Sequence, residues 1–248
     1  MKTNKGFTLM ETVVALTIAA VALSFFVAAF APATLGIRKA NSVQDAKNLA
    51  SAVEAELNTF RSEAQDSDYS SAFEKAFDWV SMSQSDEDFL VAFTYRAQST
   101  GTYVDGILPG YQGKFTAESD AQPMILQTRF TFRGYAVGES TPLSTTNPHA
   151  SDVLPIDAIE GPIFAVKLTQ LSRDTTSGGL KVVDAPTSQL YDSDGVLQDY
   201  ANFLEPVILL KADFYLLKSN SRNYLKNFSV TDDLPDRPVY TKYFGVSR

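Results

Sequence analysis

From Thr12 to Ile37 the chain runs for 26 residues without a charged side chain, rich in Ala, Val, Leu and Phe. As a helix this stretch spans ~39 Å, more than the ~30 Å of a bilayer's hydrocarbon core. Lys2 and Lys5 precede it, and Arg38 and Lys39 close it. Beyond it the period stays helical. Val43, Ala46, Ala50, Val53, Leu57 and Phe60 follow one another at intervals of three and four, which lays an apolar stripe along one face. Asp45, Lys47, Asn48, Glu54 and Glu56 occupy the opposite, solvated face. A helix over 41–62 is expected. Pro32 and Gly36 mark a hinge just outside the membrane, with Asn41 or Ser42 capping the renewed helix. A second helix is expected over 69–80, with Phe73, Ala76, Phe77 and Val80 on its inner side and Trp79 at its edge.

From Phe89 onward the period changes to two. Phe89, Val91, Phe93 and Tyr95 alternate with Leu90, Ala92, Thr94 and Arg96. The same alternation recurs around Leu126 to Arg133, Phe164 to Thr169 and Ile208 to Leu217. These patterns predict half-buried antiparallel strands whose apolar side faces the stripe from Val43 to Phe60. Asp236 to Phe244 reads as a last strand, with Pro238 marking an edge. Long polar connections over 100–122, 137–161 and 175–199 separate the strands. The fold class is therefore α+β: a long N-terminal transmembrane helix continuing into a soluble domain, where it packs on an antiparallel β-sheet.

Composition narrows the chemistry. The formal net charge of −8 disfavours phosphate backbones, so no nucleic acid is expected as a partner. There is no cysteine, which excludes disulfides, thiolate metal sites and thiol nucleophiles. His149, the single histidine, lies in a polar loop, so no multi-histidine metal site exists. No Gly-rich phosphate loop precedes a Lys-Ser/Thr pair, and no carboxylate pair stands out among the 29 acidic residues. An enzyme is not expected.

The remaining signal is Lys5-Gly6-Phe7-Thr8-Leu9-Met10-Glu11 at the head of the apolar run. A cleaved secretory signal would use Ala31-Pro32-Ala33, but its apolar core would be too long and a Glu stands at its start. A plain single-pass anchor explains the length and not the Gly-Phe-Thr-Leu run. The segment resembles the class III signal of type IV pilins and type II secretion pseudopilins. That resemblance covers the first 60 or so residues. It implies a leader over 1–6, cleavage between Gly6 and Phe7 by a prepilin peptidase, and N-methylation of Phe7. A transmembrane and assembly helix would follow over 7–37, and an exported globular domain over 38–248.

By the same resemblance Glu11 meets the Phe7 amine of a neighbouring subunit. Both charges are costly away from water, and pairing them would fix the axial stagger of packed helices. The competing reading leaves Glu11 at its own helix N-terminus, where the macrodipole favours it. The absence of cysteine shifts the resemblance towards a minor pilin or pseudopilin. The partners implied are sibling pilin subunits, the peptidase, an inner-membrane assembly platform with its secretion ATPase, and membrane lipid. The implied location is the inner membrane, N-terminus cytoplasmic, with the outer domain in the periplasm or an extracellular filament. The alternative is a membrane-anchored binding or adhesion domain that never polymerises. Asp192, Asp194 and Asp199 carry hard oxygen ligands around a turn Gly, and some pseudopilins bind calcium in C-terminal loops. The terminal bidentate Glu of an EF-hand is missing, so an acidic turn is preferred and calcium is the second reading.

Overall fold

The computed structural model describes residues 8–60, 69–84, 89–98, 124–132, 159–174, 177–183, 185, 188–228 and 233–248. His149 and the connection over 100–122 lie outside them. The chain divides into two compact units, Met1–Gln44 and Asp45–Arg248. Helix α1 (Leu9–Leu57) begins in the first and ends in the second.

The expected hinge is absent. Pro32 sits inside α1, and the helix continues through Gly36. Ser42 does not cap a new helix; its hydroxyl donates to the Arg38 carbonyl at 3.0 Å, a bond within the helix. A proline removes one intrahelical bond and crowds the preceding turn. Here several helical turns flank it on either side, and their propagation outweighs the single loss.

In the second unit, Ala46, Ala50, Val53 and Leu57 of α1 are buried, as the stripe predicts, and Leu49 joins them, whereas Phe60 lies beyond the helix and is exposed. Helix α2 spans Ala72–Gln84 rather than 69–80. Its start is set by Ser71, whose hydroxyl accepts from the Glu74 N–H at 3.1 Å. Phe73, Ala76, Phe77, Val80 and Met82 are buried, and Trp79 packs edge-to-face on Phe132 at 6.0 Å.

The strands are β1 (Leu90–Gln98), β2 (Met124–Phe132), β3 (Ile159–Arg173), β4 (Leu180–Val183), β5 (Leu190–Tyr191), β6 (Leu197–Gln198), β7 (Val207–Leu216) and β8 (Tyr240–Ser247). One antiparallel sheet has the order β2-β1-β3-β7-β8, with β4 added to β3, while β5 and β6 form a separate hairpin. Part of the stretch read as a polar connection over 175–199 thus contains three short strands. Between β7 and β8 a short helix, α3 (Arg222–Asn227), starts at Ser221, whose hydroxyl accepts from the Tyr224 N–H. Six residues are too few for periodicity to reveal.

The sheet is covered on both faces, which alternation did not predict. On one face Leu90 and Ala92, Phe164, Val166 and Leu168, and Ile208, Leu210, Ala212 and Phe214 pack in one core with α1 and α2. On the other, Phe89, Val91, Phe93 and Tyr95 join Ile163, Ala165, Leu217, Leu225 and Phe228 around α3. The set of β1 residues expected to meet α1 is therefore the one turned away from it. A period of two separates two faces but does not say which is covered by what. For β3 and β7 the expected faces do meet the helices.

Polar side chains complete the backbone pairing where strands end. At the start of β1, Ser83 of α2 takes over on the edge of β3: its Oγ accepts from the Leu168 N–H at 2.8 Å and donates to the Val166 carbonyl at 3.4 Å. Gln170 likewise acts as a peptide surrogate for β5, accepting from the Tyr191 N–H at 2.8 Å and donating to its carbonyl at 2.6 Å.

Candidate functional site

The first turn of α1 is a closed capping box. Glu11 Oε2 accepts from the Thr8 N–H and from the Thr8 hydroxyl, each at 2.9 Å. In return Thr8 Oγ1 accepts from the Glu11 N–H at 3.3 Å. Thr8 is thus the N-cap and Glu11 the reciprocating acid three residues on. The spacing was visible in Thr8-Leu9-Met10-Glu11, but the sequence reading assigned Glu11 only to a neighbour or to the helix dipole. Gly6 and Phe7, the expected cleavage and methylation residues, lie outside the described residues.

The apolar side chains of this half of α1 are exposed: Leu9, Leu16, Leu23, Phe25 and Leu35 all stand free of protein. Thr12, Thr17 and Ser24 return their hydroxyls to carbonyls one turn back, at 2.8–2.9 Å, so they add no unsatisfied polar group to the surface. A helix whose surface is apolar all round, with its hydroxyls internally bonded, is the solution for a segment surrounded by lipid. By length and composition α1 can cross a membrane.

Asp192 and Asp194 fall in the turn joining β5 and β6, and Asp199 follows β6. Asp192 Oδ1 accepts from the N–H groups of Asp194 and Val196 at 3.0 and 2.8 Å, and Oδ2 accepts from Gln198 Nε2 at 2.9 Å. These bonds, the Val196 N–H first and Gln198 next, hold its pKa below the ordinary carboxylate value. Gly195 supplies the positive φ of 77° that the turn requires. Asp199 Oδ1 accepts from the N–H and side-chain amide of Asn202 at 3.1 and 2.7 Å. Glu205, which the sequence reading did not single out, accepts from the Ser193 N–H at 2.9 Å. Among the described residues no group of three or more His, Cys, Asp or Glu is placed to hold a metal ion.

Among the described residues one lipid-suited helix, headed by a Thr-Glu capping box and leading into an α+β domain, fits a single-pass membrane-anchored protein. The family model of the prokaryotic N-terminal methylation motif matches residues 1–27. The chain therefore carries the signal of a type IV pilin-like or pseudopilin precursor, a structural motif and not an enzyme class. That motif implies processing by a prepilin peptidase and assembly with other pilin subunits. No curated protein and no solved structure matches the chain.

Proposed function

We propose that this chain is a minor pilin or pseudopilin, a non-enzymatic structural subunit of a type IV pilus or type II secretion pseudopilus. It is cut between Gly6 and Phe7, N-methylated at Phe7, and held in the inner membrane with its outer domain in the periplasm until it is drawn into a filament. The assembly platform, its ATPase and sibling subunits are the partners of that step. The observation that carries the reading is the methylation motif heading a helix that remains unbroken to Leu57.

The capping box supports a second reading. Glu11 already has two donors within its own helix, so it needs no neighbour to sit at a membrane rim. A plain anchor bearing a binding domain would be built the same way. Mass spectrometry of the mature chain separates the two: a filament subunit begins at N-methylated Phe7 and a plain anchor at Met1. Glu11→Ala is expected to insert into the membrane normally and to be excluded from filaments. Normal incorporation of that variant removes the inter-subunit role of Glu11.

A further inference from the structure

Continuity through Pro32 turns α1 into a ruler. Arg38 stands 27 residues after Glu11 on one unbroken helix, a rise of ~40 Å. A bilayer measured through both headgroup layers is ~40–45 Å thick. With Glu11 at one headgroup layer, Arg38 and Lys39 fall in the other. The helix continues through this point, and the Ser42 hydroxyl closes onto the Arg38 carbonyl.

Both side chains are exposed, and among the described residues neither takes part in an ion pair. Farther along the helix, beyond Asp45, Glu54 is held by Lys242 at 2.5 Å and Glu56 by Lys75 at 3.2 Å. Nor does topology call for them, since Lys2 and Lys5 already mark the N-terminal side as basic and a second basic end blurs that signal. Long cationic side chains at the end of a span reach into the headgroup layer while their methylene stems lie along the apolar surface.

We propose that Arg38 and Lys39 form a lipid-phosphate anchor, binding anionic phospholipid headgroups in the leaflet opposite the Glu11 end of the span. The chemistry is a guanidinium fork and an ammonium against phosphate oxygens. The pair fixes the depth of the span, and any withdrawal of the helix from the bilayer breaks that contact first. This rests on the reading of α1 as a membrane span and is indifferent to whether the chain polymerises.

The test reconstitutes the full chain into bilayers containing photoactivatable phosphatidylglycerol or photoactivatable phosphatidylcholine. Adducts are mapped by peptide mass spectrometry, which separates the segment around Arg38 from that around Lys2 and Lys5. Protease protection of the span is read in parallel. Phosphatidylglycerol adducts are expected to exceed phosphatidylcholine adducts several-fold around residues 35–43, to fall to the phosphatidylcholine level in R38Q/K39Q, and to persist in Arg38→Lys. Equal labelling by the two lipids in the native chain overturns the proposal, as does undiminished phosphatidylglycerol labelling in R38Q/K39Q. Absence of lipid adducts at this segment, together with joining of Lys39 to a second copy of the chain by an added amine-reactive cross-linker, also overturns it and assigns the cations to an acidic protein surface. Loss of the protected span in the native chain would instead overturn the membrane reading itself.

Discussion

Lys75 is completely buried, with its ammonium 3.2 Å from Glu56 Oε1 and 2.7 Å from the carbonyl of Thr59. One cation of α2 thereby neutralises a carboxylate of α1 and binds a carbonyl just beyond the α1 C-terminus, where the helix itself offers no basic residue. Its ammonium lies over the Trp79 ring, 5.9 Å from the ring centre. Lys242 makes the matching tie from β8, pairing with Glu54 and donating to Ser51 Oγ at 3.4 Å. The C-terminal part of α1 is thus held to both α2 and the sheet by charge as well as by its apolar stripe.

Removing the buried member should be costly, since it takes the cation from Glu56 and the Thr59 carbonyl together. Lys75→Met is expected to lose about 3 kcal/mol of stability in urea denaturation. Adding Glu56→Gln should recover part of that loss. Strictly additive losses in the double variant would show that the pair is not coupled.

Ser83 makes a different kind of prediction, because its hydroxyl substitutes for a strand. Ser83→Ala leaves the buried Leu168 N–H without its acceptor and should cost about 1–3 kcal/mol. Hydrogen exchange at Leu168 is the direct readout; unaltered protection there would mean that another acceptor takes over.

The capping box can be separated from any filament role. Thr8→Val deletes the hydroxyl that bridges to Glu11 and should weaken the first turn of α1 by about 1 kcal/mol, read as faster amide exchange at Met10 and Glu11. Glu11→Gln retains an acceptor, so the first turn should persist. If exchange in Thr8→Val matches that of the native chain, the hydroxyl is not the cap.

Asp192 sets a pH dependence. Its folded-state pKa is lowered, chiefly by the Val196 N–H and then by Gln198. The stability it adds is therefore fully present above the ordinary aspartate value of ~3.9 and fades as pH falls through the lower folded value. The melting-temperature gap between the native chain and Asp192→Ala should be constant from pH 5 to 8 and shrink below pH 4. Because its oxygens are already engaged, millimolar calcium should leave the native melting temperature unchanged; a calcium-dependent rise that vanishes in Asp192→Ala would make the turn an ion site.

Elements whose signal is local were legible along the chain. Hydrophobic length between Thr12 and Ile37 specifies a membrane-capable helix, since 26 uncharged residues exceed what a bilayer needs. Period three-four marks the buried stripe of α1, and period two marks the strands. The N-terminal motif is contiguous, so it was readable without coordinates. Features that depend on distant partners emerge only from packing in three dimensions. Whether Pro32 breaks α1 is a contest between one lost bond and the turns on either side. Which face of β1 meets the helices depends on α3, too short to announce itself. That Lys75 is buried and Ser83 finishes a sheet edge follows from placing residues 16 to 85 positions apart in contact, and no window along the chain contains both partners.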